Sequence, residues 1–147
     1  MKNYFKQKFV KIKLVRENFK IGARIKSPKE VMKAVQETIQ DLDREHFIAI
    51  YLDASNDIVA IQTVAIGTSE AVLVGPREVF KAALLSNACR IILIHNHCSS
   101  NLEPSEEDIA VTKNLAEAGK LLNIEILDHI IVCPKGKFTS LKSKGVF

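Results

Sequence analysis

The stretch Arg90-Ile91-Ile92-Leu93-Ile94-His95-Asn96-His97 begins as an apolar run and ends in two histidines separated by one residue. A run this short and this apolar predicts a buried β-strand. Side-chain direction repeats every second residue in a strand, so both histidine side chains are predicted to project from one face. The carboxyl end of such a strand is also where open sheets tend to place their ligand sites.

A carboxylate follows these histidines after a loop over residues 96–104. Ser105-Glu106-Glu107-Asp108 predicts the first turn of a helix that runs to about Leu122, because acidic residues are favoured at helix N-termini. Two neutral imidazoles and one carboxylate suit zinc, which in catalytic sites takes three protein ligands and a water. His95, His97 and, as the third ligand, Asp108 are therefore candidate zinc ligands.

A water nucleophile also needs a proton acceptor. Glu45 directly precedes His46 and a second apolar run, Phe47–Leu52, which is predicted to be a buried strand. If the two apolar strands are neighbours, the Glu45 carboxylate can approach a water on the metal and act as its base. Ser105 could donate a hydrogen bond to a developing oxyanion.

Several of these residues also have structural interpretations. A His-x-His pair at a strand end also occurs on ordinary polar surface. Ser105 and Asp108 fit a helix N-cap and capping box, a role that Ser105 could combine with a catalytic one. Glu45 could be a solvated residue at a helix end.

Three further residues near the site have open roles. Cys98 could be a fourth ligand, or a small residue that faces away from the metal. His129, beside Asp128 in another apolar run, could form a buried hydrogen-bonded pair or part of the wall of the site. His46 is predicted to lie on the surface.

The rest of the chain predicts an α/β fold in which helices pack on a mixed sheet. Ser27-Pro28-Lys29-Glu30 offers an N-cap serine, an N1 proline and an N3 glutamate. Predicted helices cover residues 28–43, a segment starting at Gly75-Pro76, and the helix from Ser105. Predicted strands cover residues 10–14, 47–52, 58–66, 71–74, 91–95, 124–133 and 138–141, with 47–52 and 58–66 forming a hairpin.

Length and composition indicate an ordinary globular protein. The chain has 147 residues, 47% of them hydrophobic and 26% charged, which suits a single domain with a full core. No apolar run approaches the roughly 18 residues that span a bilayer. The N-terminus lacks the apolar core of a signal peptide, and three cysteines show no paired spacing, so we expect a cytoplasmic protein without disulfides.

Charge is distributed unevenly. Residues 1–26 contain nine lysines and arginines and one acid, Glu17, giving +8, whereas residues 27–147 contain twelve and sixteen, giving −4. This basic N-terminal arm could contact nucleic acid or another acidic partner. The simpler interpretation is a solvated arm or an added edge strand.

The ordered motifs resemble a known family. Glu45, followed by His95-x-His97, seven residues, Ser105, two residues and Asp108, matches the JAMM (JAB/MPN+) metalloprotease motif. The chain is most similar to the JAB domain of bacterial RadC-type proteins, a resemblance that extends over about residues 27–147. It is carried in order by Asp43-Arg44-Glu45-His46-Phe47, Pro76-Arg77-Glu78-Val79-Phe80, His95-Asn96-His97, Pro104-Ser105-x-x-Asp108-Ile109 and Leu127-Asp128-His129-Ile130-Ile131-Val132.

The resemblance implies a JAB fold with cytidine-deaminase-like α-β-α layers. It implies one zinc held by His95, His97 and Asp108, with Glu45 as general base and Ser105 as oxyanion stabiliser. The implied reaction is hydrolysis of a peptide or isopeptide bond. RadC-type proteins have also been labelled DNA repair proteins, and a nucleic-acid-associated module with a structural or vestigial metal site is the alternative function.

Two departures from the family pattern affect these expectations. The family loop reads His-Asn-His-Pro-Ser-Gly, whereas Cys98 and Ser100 replace the proline and glycine here. Because proline fixes φ and glycine permits positive φ, the loop backbone is predicted to differ. Longer RadC-type proteins also carry an N-terminal helix-hairpin-helix-like region where this sequence has the basic arm, so we expect their DNA roles to transfer poorly.

Overall fold

The computed structural model describes residues 24–39, 44–67 and 74–147. The predicted strand at 10–14 and nearly all of the basic arm lie outside these residues. So do the last four residues of the predicted first helix and most of the predicted strand at 71–74.

A five-stranded sheet forms the centre of the molecule, with spatial order β2-β1-β3-β4-β5. Only β3 and β4 run parallel, and the other neighbouring pairs are antiparallel, so the predicted mixed sheet is confirmed. The elements in chain order are α1 Pro28–Ile39, β1 His46–Leu52, β2 Ile58–Ile66, α2 Pro76–Leu85, β3 Arg90–Asn96, α3 Glu106–Leu122, β4 Glu125–Val132, a 3-10 turn Pro134–Gly136 and β5 Phe138–Ser140.

Both faces of the sheet are covered. Apolar side chains of β1 and β3 alternate between the faces, as the period-two geometry of a strand requires. Those on one face pack against α2 and α3, including Phe80 and Leu115. Those on the other face pack against α1 through Val31 and Val35. The α-β-α layering is therefore present, and it directs the odd-numbered residues of β3 towards α2 and α3.

Helix starts follow the predicted capping chemistry. The hydroxyl of Ser27 accepts a hydrogen bond from the backbone N–H of Glu30 at 3.4 Å, while the Glu30 carboxylate accepts from the Lys26 backbone. Gly75 is the N-cap of α2, with Pro76 at its first turn. Helix α3 begins with a complete capping box and ends at Asn123 in the left-handed conformation. None of the helices in the described segments is both long and apolar enough to cross a membrane.

Helix α3 makes a close contact at Gly119 with the residue that precedes β4. A Cβ atom on Gly119 would overlap the backbone oxygen of Ile124 and lie 3.3 Å from Cζ of Phe80. The Ile124 N–H also donates to the Gly119 oxygen at 2.9 Å. Glycine at this position therefore lets the helix turn directly into the next strand.

Gly119→Ala is expected to destabilise the protein by about 1–3 kcal/mol, because overpacking against a backbone carbonyl exceeds the roughly 1 kcal/mol gained in helix propensity. Urea denaturation measures the change. Asn114→Ala, at an exposed position of the same helix, serves as the control and is expected to stay within about 0.5 kcal/mol of wild type. A Gly119→Ala protein as stable as wild type would contradict the close-contact interpretation.

Candidate metal centre

His95, His97 and Asp108 converge at the carboxyl end of β3. His95 lies on the strand, His97 follows it directly, and their ring centroids are 4.9 Å apart. Asp108 comes from the first turn of α3, which begins beside the same end of the sheet. One ligand atom from each of the three residues can be chosen so that all lie within 4.8 Å of one another. The structure thus brings together the three residues predicted as metal ligands.

The position of Asp108 is determined by the start of α3. Its backbone N–H donates to the Ser105 hydroxyl at 3.0 Å, and its Oδ2 accepts from the Ser105 backbone N–H at 2.8 Å. These two bonds form the capping box predicted from the sequence. The Ser105 hydroxyl also donates to Oδ2 at 2.8 Å. Helix capping therefore orients the carboxylate towards the histidines.

His97 is oriented by the loop that follows it. Its Nδ1 lies 2.9 Å from the backbone oxygen of Asn101, to which it donates, and its Nε2 lies 3.3 Å from Oδ2 of Asp108. The same Asn101 oxygen accepts from the Cys133 thiol at 3.0 Å. The backbone N–H of His97 donates to the oxygen of Val132 at 2.7 Å. A carbonyl partner on Nδ1 leaves Nε2 as the nitrogen available to a metal.

The imidazole of His95 lies between two carboxylates. Its Nε2 is 3.4 Å from Oε2 of Glu45, and its Nδ1 is 2.9 Å from Oδ1 of Asp108. The Nδ1 contact is close enough for charge attraction but lacks the direction of a hydrogen bond, and within the described residues this buried nitrogen has no hydrogen-bond partner. A buried ring nitrogen that faces a carboxylate oxygen without bonding to it is an arrangement in which one cation can serve both atoms.

Electrostatics favour a charged Asp108 in this cluster. Burial alone would raise the pKa of its carboxyl, but the contacts with His95 and His97 and the Ser105 backbone outweigh burial and hold the pKa well below its usual range. Interaction with the same carboxylate raises the pKa of His97, although burial opposes this change. The cluster therefore combines one anionic oxygen donor with two imidazoles, a donor set that fits a divalent transition metal.

Glu45 reaches the cluster because β1 lies beside β3. Phe47 pairs with His95 in the antiparallel register, so Glu45, two residues earlier, projects from the face that carries His95. The condition on which the role of Glu45 depended, that these two strands are neighbours, is therefore met. The Glu45 side chain is 25% exposed, compared with 9% for that of His95. Glu45 is the solvent-accessible carboxylate of the group.

His129 forms the inner wall of the site. It is fully buried on β4, and its ring stacks on that of His95 at a centroid distance of 6.4 Å. Its Nδ1 lies 2.6 Å from the hydroxyl of Thr112, which donates to the backbone oxygen of Asp108 at 2.5 Å. Because the Thr112 hydroxyl donates its only proton to Asp108, it must accept the hydrogen bond from His129. The Nδ1 nitrogen of His129 therefore carries a proton. His129 thus supports the helix turn that holds Asp108.

Asp128 bonds to backbone and hydroxyl groups and leaves the His129 ring to Thr112. Its Oδ1 accepts from the His129 backbone N–H at 2.7 Å, and its Oδ2 accepts from the Ser140 hydroxyl at 2.6 Å. The predicted side-chain pair between Asp128 and His129 is therefore replaced by a backbone bond. The alternative role of His129 as part of the site wall is the one observed.

Two other residues close in sequence to the site lie outside the cluster. His46 is half-buried at the start of β1, and its ring makes a solvent-exposed contact with the Arg44 backbone oxygen at 3.1 Å, so the predicted surface position holds in part. Cys98 is exposed and does not belong to the His95, His97 and Asp108 group. Neither contributes an atom to the candidate metal position.

Asn96 and Thr112 were missed as contributors to the site. Asn96 lies between the two histidines, is 6% exposed, and bonds to the backbone on both sides of Glu45. A strand of branched apolar residues disfavours asparagine, so a buried asparagine there was a usable signal for a specific hydrogen-bonding role. Thr112 gives no comparable signal, because its role depends on how α3 packs against β4.

Comparison with known proteins identifies the family to which this fold belongs. The family model described as RadC-like JAB domain matches residues 25–146. The chain belongs to the RadC-like JAB domain family. It is 49% identical over 122 residues to a UPF0758 protein of Desulforamulus reducens, covering 83% of this chain and 53% of the relative.

Two further relatives are also UPF0758 proteins. A UPF0758 protein of Shouchella clausii is 45% identical over 135 residues, covering 92% of this chain and 58% of that protein. A UPF0758 protein of Methanosarcina mazei is 46% identical over 122 residues, covering 83% and 53%. The chain spans about half the length of the curated relatives it matches.

The neutral state of His129 predicts a pH dependence of stability. Burial, with a smaller electrostatic contribution from His95, lowers the pKa of His129 to about 3, against about 6.5 in the unfolded chain. The unfolded state therefore binds more protons between these values. Stability from this residue is complete above about pH 6.5 and falls on acidification by up to about 1.4 kcal/mol per pH unit.

Urea denaturation of metal-free wild type and His129→Gln at pH 6.5 and pH 5.0 tests this expectation. Wild type should lose about 1–2 kcal/mol more than the variant over this interval, and the contribution of His97 cancels because both proteins contain it. Nitrogen chemical shifts of the His129 ring, which should stay neutral at pH 5.0, provide an independent check. Parallel stability curves together with a titrating ring would contradict the prediction.

Proposed function

We propose that this RadC-like JAB domain is a zinc-dependent hydrolase of a peptide or isopeptide bond. The observation that carries the proposal is the Glu45 carboxylate, whose Oε2 lies 3.4 Å from Nε2 of His95 at the edge of the His95, His97 and Asp108 group. A metal cluster alone is compatible with a structural role. A solvent-accessible carboxylate beside it supplies the proton acceptor that hydrolysis requires.

Zinc is the metal that best suits these ligands. Two imidazole nitrogens and one carboxylate oxygen leave a fourth tetrahedral position open, which distinguishes catalytic from structural zinc sites. Zinc bound there would polarise the attacking water and the scissile carbonyl. The three ligand atoms already lie within 4.8 Å of one another, so small side-chain rotations would bring them to bonding distance.

Glu45 is proposed as the general base and then the general acid. It takes a proton from the attacking water and delivers it to the leaving nitrogen, which has to be protonated before the bond breaks. The 25% exposure of its side chain leaves it accessible to both water and substrate. His95 and Asp108 are more deeply buried and suit holding the metal.

Ser105 is proposed to stabilise the oxyanion. Its hydroxyl carries one proton, which it donates to Oδ2 of Asp108 in the present arrangement. Oxyanion stabilisation therefore requires the hydroxyl to rotate away from Asp108 when substrate binds. Its oxygen would still be able to accept from the Asp108 backbone N–H, so the helix cap would be retained.

Zinc binding is testable without a substrate. The purified protein is expected to bind about one zinc per chain, measured by elemental analysis after equilibration with a zinc buffer. His97→Ala should weaken binding more than about 100-fold, since loss of a ligand exceeds loss of a hydrogen-bonded support. His46→Ala, outside the cluster, is the matched control and should bind like wild type. A folded wild-type protein without zinc would refute the proposal.

Hydrolysis is expected to depend on Glu45. Zinc-loaded wild type is incubated with a proteome-derived mixture of peptides and isopeptide-linked peptides, and newly released α-amino and lysine ε-amino groups are counted by mass spectrometry. Glu45→Gln should retain zinc while cleavage falls by about 10²- to 10⁴-fold. Absence of cleavage by zinc-loaded wild type would count against the hydrolase function. Equal cleavage by both proteins would remove Glu45 from the mechanism.

A further inference from the structure

Asn96 connects the histidine strand to the peptide groups on both sides of Glu45. Its side-chain Nδ2 donates to the backbone oxygen of Arg44 at 2.9 Å. Its Oδ1 accepts from the backbone N–H of His46 at 2.6 Å. Because direction alternates along β3, this side chain projects from the face opposite His95 and His97. The ligand strand therefore presents metal ligands on one face and holds the Glu45 segment from the other.

These bonds begin where the backbone pairing of β1 with β3 ends. The paired residues run from Leu52 opposite Arg90 to Phe47 opposite His95. Glu45 lies beyond this last pair, so backbone pairing with β3 does not fix it. The Asn96 amide supplies both a donor and an acceptor at the position of the next pair and so extends the contact between the strands by one step.

A third bond fixes the same segment from the other side. The backbone N–H of Gly67, at the end of β2, donates to the oxygen of Glu45 at 2.8 Å. The oxygen of Arg44, the oxygen of Glu45 and the N–H of His46 are therefore all held by neighbouring strands. The direction of the Glu45 side chain is set by these peptide groups, since the bond from Cα to Cβ follows the backbone.

The identity of residue 96 agrees with this role. The side chain is 6% exposed, and a buried amide is costly unless its donor and acceptor are both used. Its Oδ1 and Nδ2 each have a partner. An apolar residue would suit a buried strand better but could bond to neither peptide group, and an aspartate could only accept.

We propose that Asn96 is a positioning residue. It holds Glu45 at the metal site and so keeps the proposed base in a fixed position relative to the proposed metal ligands. This inference rests on the proposed function, because it assigns Asn96 a part only if Glu45 acts beside a bound metal. Asn96 itself touches neither metal nor substrate. Its effect on the chemistry passes entirely through Glu45.

The test uses the full chain loaded with Co²⁺, which takes the ligands of zinc and absorbs visible light. The pH profile of the Co²⁺ absorption band is recorded for wild type, Glu45→Gln, Asn96→Ala and the double variant. Asn96→Ala should bind Co²⁺ within about threefold of wild type, since every ligand is retained. Its profile should shift in the same direction as that of Glu45→Gln, and it should add nothing once Glu45 is absent.

A metal-free measurement follows the backbone directly. Hydrogen exchange at the His46 amide should accelerate by about tenfold in Asn96→Ala, because one hydrogen bond is lost, and exchange at Gly67 should rise with it. Asn114→Ala, an asparagine at an exposed position of α3, is the matched control and should change neither the exchange nor the Co²⁺ profile.

The outcomes separate this inference from the proposed function. A wild-type profile in Asn96→Ala while Glu45→Gln shifts would overturn the positioning role alone. A shift that persists unchanged when Asn96→Ala is combined with Glu45→Gln would also overturn it, because Asn96 would then act independently of Glu45. If the pH profile of the Co²⁺ band is the same in Glu45→Gln as in wild type, the proposed role of Glu45 is refuted, and that of Asn96 with it.

A second variant is included in case Asn96→Ala does not fold. Asn96→Asp keeps the shape of the side chain and its acceptor for the His46 N–H but loses the donor to Arg44. Because its added charge also acts directly on Glu45, this variant is measured by metal-free hydrogen exchange at the Glu45 and Gly67 amides, which should be faster than in wild type once the bond to the Arg44 oxygen is lost. Wild-type exchange rates at both amides would overturn the inference.

Discussion

The antiparallel pairing of β1 with β3 is the interaction on which the candidate site depends. It places Phe47 opposite His95 and therefore puts Glu45, two residues earlier, on the face of the histidines. A shift of one residue would turn Glu45 to the other face, because side-chain direction alternates along a strand. The apolar side chains of both strands, packed against helices on both faces, strongly disfavour such a shift.

Asp108 shows how the same atoms serve folding and a metal site. Its backbone N–H and carboxylate complete the cap of α3, and the carboxylate also faces both histidines. Behind it, Thr112 and the buried His129 hold the helix turn against β4. A helix start that is already rigid reduces the entropy lost when its carboxylate binds a cation. The cap and the metal site therefore need not compete.

Much of this arrangement was accessible from the sequence. Ile58–Ile66 was predicted with its observed bounds, and the capping box at Ser105 and the helix start at Pro76 followed from local hydrogen-bonding chemistry. The convergence of His95, His97 and Asp108 was predictable because strand alternation and one short loop determine it. The contacts of Asn96 and His129 were not, since they depend on the register between strands and on the packing of α3, which no local pattern encodes.

The backbone carbonyl of Asn101 connects the loop that departs from the family pattern to the metal ligand His97. It accepts hydrogen bonds from both His97 and Cys133, and it lies after Cys98 and Ser100, where the chain departs from the proline and glycine of the family pattern. The N–H of Asn101 in turn donates to the Ser99 hydroxyl at 3.3 Å, inside the altered loop. The ring of His97 is therefore oriented by one peptide carbonyl that is supported both by the end of β4 and by the loop, so a change in either is transmitted to this ligand.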